Sequence, residues 1–98
     1  MVLPVSTTVK PKHHGADMRK VLRFSASWCQ PCKAMAKLLD DIDTNLPIEV
    51  IDIDEQSELA VEYGIRSVPT LVMVEEHVEV RRIVGLATKD KLKNWIEE

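Results

Sequence analysis

The two cysteines of this chain stand three residues apart, in Trp28-Cys29-Gln30-Pro31-Cys32-Lys33, and no other cysteine occurs. Ahead of them runs a short, mostly apolar stretch, Val21-Leu22-Arg23-Phe24. Behind them Met35, Leu38, Leu39 and Ile42 fall at i, i+3, i+4 and i+7. That spacing predicts a buried strand leading straight into an amphipathic helix, with the cysteines at the junction. On a helix, residues three apart stack with Cα atoms roughly 5 Å apart, and a disulfide accepts about 4.4–6.8 Å. A ring across Cys29–Cys32 can therefore open and close without moving the backbone, which makes thiol–disulfide chemistry the leading reading.

Other readings of the pair are weaker. Structural zinc needs four ligands, and the chain offers no second cysteine pair and only His13, His14 and His77. A purely structural disulfide would close a very short loop, which the chain-entropy argument rewards little. A chance pair inside an ordinary helix is disfavoured by Trp28 before the motif and Pro31 within it. No metal and no cofactor are expected.

A chain of 98 residues with 45% hydrophobic side chains can build one core and one domain. Its 13 basic and 16 acidic residues are well mixed and leave a net charge of −3. No basic stripe is present for phosphate contacts, so no nucleic-acid partner is expected; Lys10-Pro11-Lys12-His13-His14 reads as a solvated loop. No stretch approaches the roughly 18–20 apolar residues of a membrane span, and the N-terminus lacks the charged start of a signal peptide. The expected setting is the cytoplasm, where a close cysteine pair is more often catalytic than structural.

Residues 1–20 read as an irregular segment in which Val5 to Lys10 could form a first strand. The domain proper is expected over residues 21–98. Pro31 falls early enough in the first helix to lose no hydrogen bond, and Asn45 and Pro47 end it. Ile48 to Asp54 reads as a second strand with Ile48, Val50, Ile51 and Ile53 buried. A short helix follows over Ser57–Tyr63, with Leu59, Ala60 and Tyr63 inward and Gly64 as its stop. Beyond Pro69 come two strands, Thr70–Val74 and Val78–Val84. The connector Glu75-Glu76-His77 is short enough to demand an antiparallel hairpin. Thr88 suits the N-cap of a last helix, whose Leu92, Trp95 and Ile96 face the core. The order β-α-β-α-β-β-α predicts an α/β domain with one mixed sheet and helices on both faces.

Several of these residues together resemble the thioredoxin family. They are Phe24, Trp28-Cys29-x-Pro31-Cys32-Lys33, Ile53-Asp54, Tyr63-Gly64-Ile65-Arg66, Val68-Pro69-Thr70 and Val84-Gly85, which occur in family order across residues 21–98. The resemblance implies a thioredoxin-like fold and a division of roles. Cys29, at the helix N-terminus, would be the exposed nucleophile, its thiolate favoured by unpaired backbone N–H groups and the helix dipole. Cys32 would resolve the mixed disulfide. Gln30, Pro31, Lys33 and Arg23 would tune the redox balance. Trp28, Val68, Pro69 and Gly85 would form the substrate surface, with Pro69 resembling a cis-proline that presents the Val68 backbone. Trp95 is expected to be core packing.

The chain also departs from the family pattern. Gln30 replaces the familiar glycine. Arg23 stands where thioredoxins carry a buried aspartate, and Val50 where many carry a lysine. Arginine cannot act as a base at accessible pH. Two readings of Arg23 stay open: it stabilises a nearby thiolate and makes the disulfide more oxidising, or it reaches the surface or pairs with an acid such as Asp54. The function these residues imply is a monomeric protein-disulfide reductase. Its partners would be protein disulfides and a thioredoxin-reductase-like or glutathione-based electron donor. The alternatives are a glutaredoxin-like enzyme, for which no Gly-Gly signature stands near Val84-Gly85-Leu86-Ala87, and an accessory subunit with an incidental cysteine pair.

Overall fold

The computed structural model describes residues 19–98. The segment Val5–Lys10 lies outside the described residues. Seven elements follow in order: β1 (Arg19–Ser25), α1 (Gln30–Asp40), β2 (Ile48–Asp52), α2 (Ser57–Glu62), β3 (Thr70–Glu75), β4 (Val78–Val84) and α3 (Lys89–Glu97). The described strands form one mixed sheet in the order β2-β1-β3-β4. β1 runs parallel to β2, with Arg23 opposite Val50, and antiparallel to β3, with Arg23 opposite Leu71. β3 and β4 form the expected antiparallel hairpin.

Alternation along the strands builds two apolar layers, because successive side chains point to opposite faces of a sheet. On one face Val21, Leu71, Met73 and Ile83 pack with Met35 and Leu39 of α1 and Leu92, Trp95 and Ile96 of α3. On the other, Leu22, Phe24, Ile51, Val72 and Val74 pack against Leu59 and Tyr63 from the α2 region. The Phe24 and Tyr63 rings lie 5.6 Å apart in a tilted arrangement. Helices thus cover both faces, and Trp95 belongs to the core.

Each departure from the sequence reading has a local cause. β1 starts at Arg19 rather than Val21 because the two cations at its head find partners: Arg19 pairs with Glu75 at 3.1 Å and Lys20 with Glu49 at 2.9 Å. α1 ends at Asp40, and Ile42 is buried from the following turn, where its N–H donates to the Leu39 carbonyl. β2 stops at Asp52 because that side chain accepts the backbone N–H groups of Asp54 at 2.8 Å and Glu55 at 3.3 Å, turning the chain away. Val50, expected inside, is 53% exposed. It lies at the edge of the described sheet, outside the apolar cluster that α1 and α3 cover.

The hairpin turn is one residue tighter than read. β3 runs through Glu75, and Glu76 and His77 alone make the loop, with φ of 54° and 70°. Two left-handed residues define a type I′ turn, whose twist matches that of the flanking strands. The ladder register slips between Met73 and Val74, which leaves Val80 as an extra, exposed residue on β4. α2 closes in a Schellman motif. Gly64, at φ 64°, donates to the Val61 carbonyl, and Ile65 donates to the Ala60 carbonyl. The Thr88 hydroxyl accepts the Lys91 N–H at 3.2 Å and starts α3.

Candidate active site

β1, flanked by β2 and β3, ends at Ser25, and a tight turn in which Cys29 N–H donates to the Ala26 carbonyl redirects the chain into α1. Cys29 is the N-cap of that helix, with extended backbone, and its Sγ accepts the Cys32 N–H at 3.1 Å. The sulfur therefore takes the place of the oxygen that usually satisfies an orphan helix N–H. Cys29 and Cys32 form a disulfide with Cα atoms 5.3 Å apart, the span expected of residues one helical turn apart. Pro31 lies in the first turn, where its missing N–H is no loss, and Gln30 beside it is exposed.

The sequence reading made Cys29 an exposed nucleophile. In the disulfide form it is 4% exposed and Cys32 1%. Both sulfurs pack in a small cluster with Ala26, Ile53 and Val68, which explains the low exposure. Cys29 remains the outer of the two.

Next to the pair stand Trp28, adjacent to Cys29 in the chain, and Val68, which packs against the cysteine cluster and is followed by Pro69. Trp28 is 64% exposed, and its indole N–H donates to Asp54 Oδ2 at 2.9 Å, which holds the ring beside the cysteines. The Val68–Pro69 bond is cis, and the Pro69 carbonyl accepts the Gly85 N–H at 2.8 Å. That bond ties the proline loop to the end of β4. Gly85 sits at φ 89°, a backbone conformation that disfavours L side chains, whereas the space a Cβ would enter is open. Torsion, not close packing within the chain, calls for glycine there. Val84 and Leu86 on either side are exposed.

Arg23 points from β1 toward α1, on the same side as Val21. It lines a cavity of about 250 Å³ together with Cys32, Lys33, Ala36, Val50 and Asp52. Burial pushes the Arg23 pKa down from its ordinary value, and the Asp40 carboxylate partly offsets this. Asp54 is engaged by Trp28, and none of the ion pairs among the described residues joins it to Arg23. Lys33 is exposed at the cavity rim. The sequence reading missed Asp52, which both turns the chain after β2 and lines this cavity. An aspartate at the end of a strand is a signal for such a turn, because its carboxylate can accept the backbone N–H two residues on. Among the described residues, no group of three or more His, Cys, Asp or Glu side chains is placed to hold a metal ion. No described helix is long and apolar enough to cross a membrane.

A cysteine pair that closes across one helical turn, at a helix N-terminus and facing a cis-proline loop, defines a thiol–disulfide oxidoreductase site. Comparison with known proteins gives the family. The thioredoxin family model matches residues 7–98. A thioredoxin of Chlamydia pneumoniae is 40% identical over 78 residues, 76% of either chain. Thioredoxin H-type 1 of Nicotiana tabacum is 36% identical over 87 residues, 84% of this chain and 68% of that one. Among solved structures, a mutant thioredoxin from Halobacterium salinarum superposes with a TM-score of 0.75 at 33% identity, covering 91% of this chain and 85% of that one. The chain belongs to the thioredoxin family, and it is a thiol–disulfide oxidoreductase.

Proposed function

We propose that the protein reduces disulfides in other proteins through a mixed disulfide on Cys29. The observation that carries this is the position of Cys29. It caps α1, is the outer sulfur of the pair, follows the exposed Trp28 in the chain and packs with Val68 of the cis-proline loop, to which Gly85 is hydrogen-bonded through the Pro69 carbonyl. Once the pair is reduced, the Cys29 thiolate attacks a substrate disulfide. One substrate sulfur bonds to Cys29, and the other leaves as a thiolate and is protonated by water. The Cys32 sulfur then attacks Cys29, the Cys29–Cys32 bond forms, and the second substrate sulfur leaves. Two electrons have passed from the pair to the substrate. A thiol donor restores them and becomes a disulfide itself; in this reading it is the dithiol of a thioredoxin-reductase-like enzyme or a pair of glutathione molecules. The exposed apolar rim supports a macromolecular substrate met through backbone and ring contacts. The protein works as a monomer in the cytoplasm, passing electrons from that donor to protein disulfides.

The test is insulin reduction with dithiothreitol as donor, read as precipitation of the freed B chain. The wild type should accelerate it, and Cys29→Ser should abolish the acceleration. Cys32→Ser should trap a covalent protein–substrate adduct that dithiothreitol releases. An adduct forming on Cys32 and not on Cys29 would refute the assignment of the nucleophile. A double Cys29→Ser/Cys32→Ser protein that retained full biological function would point instead to an accessory subunit.

A further inference from the structure

The cavity beneath the first turn of α1 contains a charge that the exchange cycle above has not used. Arg23 is brought there by strand alternation. Val21 packs into the layer under α1 and α3, Leu22 and Phe24 into the opposite layer, so Arg23 returns to the α1 side. Cys32 lines the same cavity. None of the ion pairs formed among the described residues involves Arg23. Asp40, at the far end of α1, acts on it only through space. Asp52 shares the cavity, but its Oδ1 is taken by the Asp54 and Glu55 N–H groups. Among the described residues, Arg23 is therefore a half-buried cation that makes no ion pair while the disulfide is closed.

Reduction supplies an anion. A sulfur as enclosed as that of Cys32, 1% exposed, would by burial alone hold its proton more tightly than a free thiol and attack poorly. We propose that Arg23 is a positioning residue for the resolving step, holding Cys32 as a thiolate within this cavity so that no side chain need accept its proton. The proton of Cys32 passes to solvent when the pair is reduced. In the mixed disulfide the Cys32 thiolate then attacks Cys29, and the substrate sulfur departs with the negative charge and is protonated by water. Among the described residues, the charged groups that line this cavity with Cys32 are Arg23 from β1, Lys33 from α1 and Asp52 from β2. Lys33 is exposed and screened by solvent, and Asp52 opposes the effect, so Arg23 is the group that decides the balance. Because it favours the reduced state, Arg23 also makes the disulfide a stronger oxidant.

This inference rests on the exchange cycle proposed above, and two measurements separate them. In the two-cysteine protein, the equilibrium with glutathione is measured for wild type, Arg23→Met and Arg23→Lys. Arg23→Met should shift it toward the disulfide by at least ten-fold, equivalent to about 30 mV for two electrons, and Arg23→Lys should restore most of that shift. In Cys29→Ser, the Cys32 thiolate is titrated by its ultraviolet absorbance, and adding Arg23→Met should raise the midpoint by at least one pH unit. Changes within two-fold on both measurements overturn the proposal. Should Arg23→Met fail to fold, the Cys29→Ser titration still decides: a Cys32 midpoint above the ordinary cysteine value of about 8.5 overturns it. A protein that leaves insulin intact yet shows the Arg23-dependent potential retains this inference and loses the reductase reading.

Discussion

Met35 is the residue through which α1, and with it the cysteine pair, is fastened to the sheet. It lies three residues after Cys32 on the inward stripe, is completely buried, and packs in the cluster of Val21, Leu71, Leu92 and Trp95. Met35→Ala removes the side chain beyond Cβ, three heavy atoms, whose transfer to water is worth about 2.4 kcal/mol at about 0.8 kcal/mol each. The cavity left behind adds to this, since β1, β3 and α3 surround the site and cannot all collapse into it. A loss of about 3 kcal/mol is expected, within the range of about 2–5 kcal/mol for such truncations. Alanine favours helix slightly more than methionine, a gain too small to matter here. Against a total stability of about 5–15 kcal/mol for a small domain, the loss is large. In urea it should lower the unfolding midpoint by about 1–3 M with the slope unchanged. Val61→Ala serves as the control, because Val61 is 79% exposed on α2 and should change stability by less than about 0.5 kcal/mol. A Met35→Ala loss below about 1 kcal/mol, or one no larger than the control, would refute the packing of α1 described here.

Two further perturbations test other parts of the molecule. Hydrogen bonds from Arg82, at 2.6 and 2.7 Å, hold the Glu79 carboxyl below its ordinary range. A depressed folded-state pKa adds stability above the unfolded value of about 4.3 and loses it as pH falls through the folded one. Glu79→Gln should therefore be less stable than wild type by under about 1 kcal/mol near neutral pH, as for other partly exposed pairs. Urea unfolding near pH 2 should find no difference between the two. Thr88→Ala removes the cap of α3 and should lower stability by about 1 kcal/mol in the same assay, while Thr88→Ser should keep most of it.

Much of the fold is legible in the chain because its signals are local. The i, i+3, i+4 stripes of α1 and α3, the Gly64 stop and the short hairpin connector each report a geometry that neighbouring residues impose on one another. The element order and the mixed sheet followed from them. Errors fell where long-range partners decide. The charged head of β1 looked like loop until Glu75 and Glu49 are seen to neutralise it. Val50 looked buried because a strand pattern cannot show that its neighbours leave it at the edge of the described sheet. The same holds for the site. The cysteine spacing announced its chemistry, and Trp28, Val68, Pro69 and Gly85 were named on family likeness. Their contacts were not readable.

What the sequence alone determined is the chemistry: two cysteines one helical turn apart can close a disulfide wherever that helix begins, because their spacing is a property of the helix itself. What only the tertiary structure decided is the surroundings of that disulfide. Residues 23, 53 and 68 are far apart in sequence, and only the folding of β1, β2 and the proline loop brings them beside the cysteine pair. It also decided that Asp54 holds Trp28 and that Arg23 lines one cavity with Cys32. A charge acts through distance and dielectric, and both are properties of the folded packing.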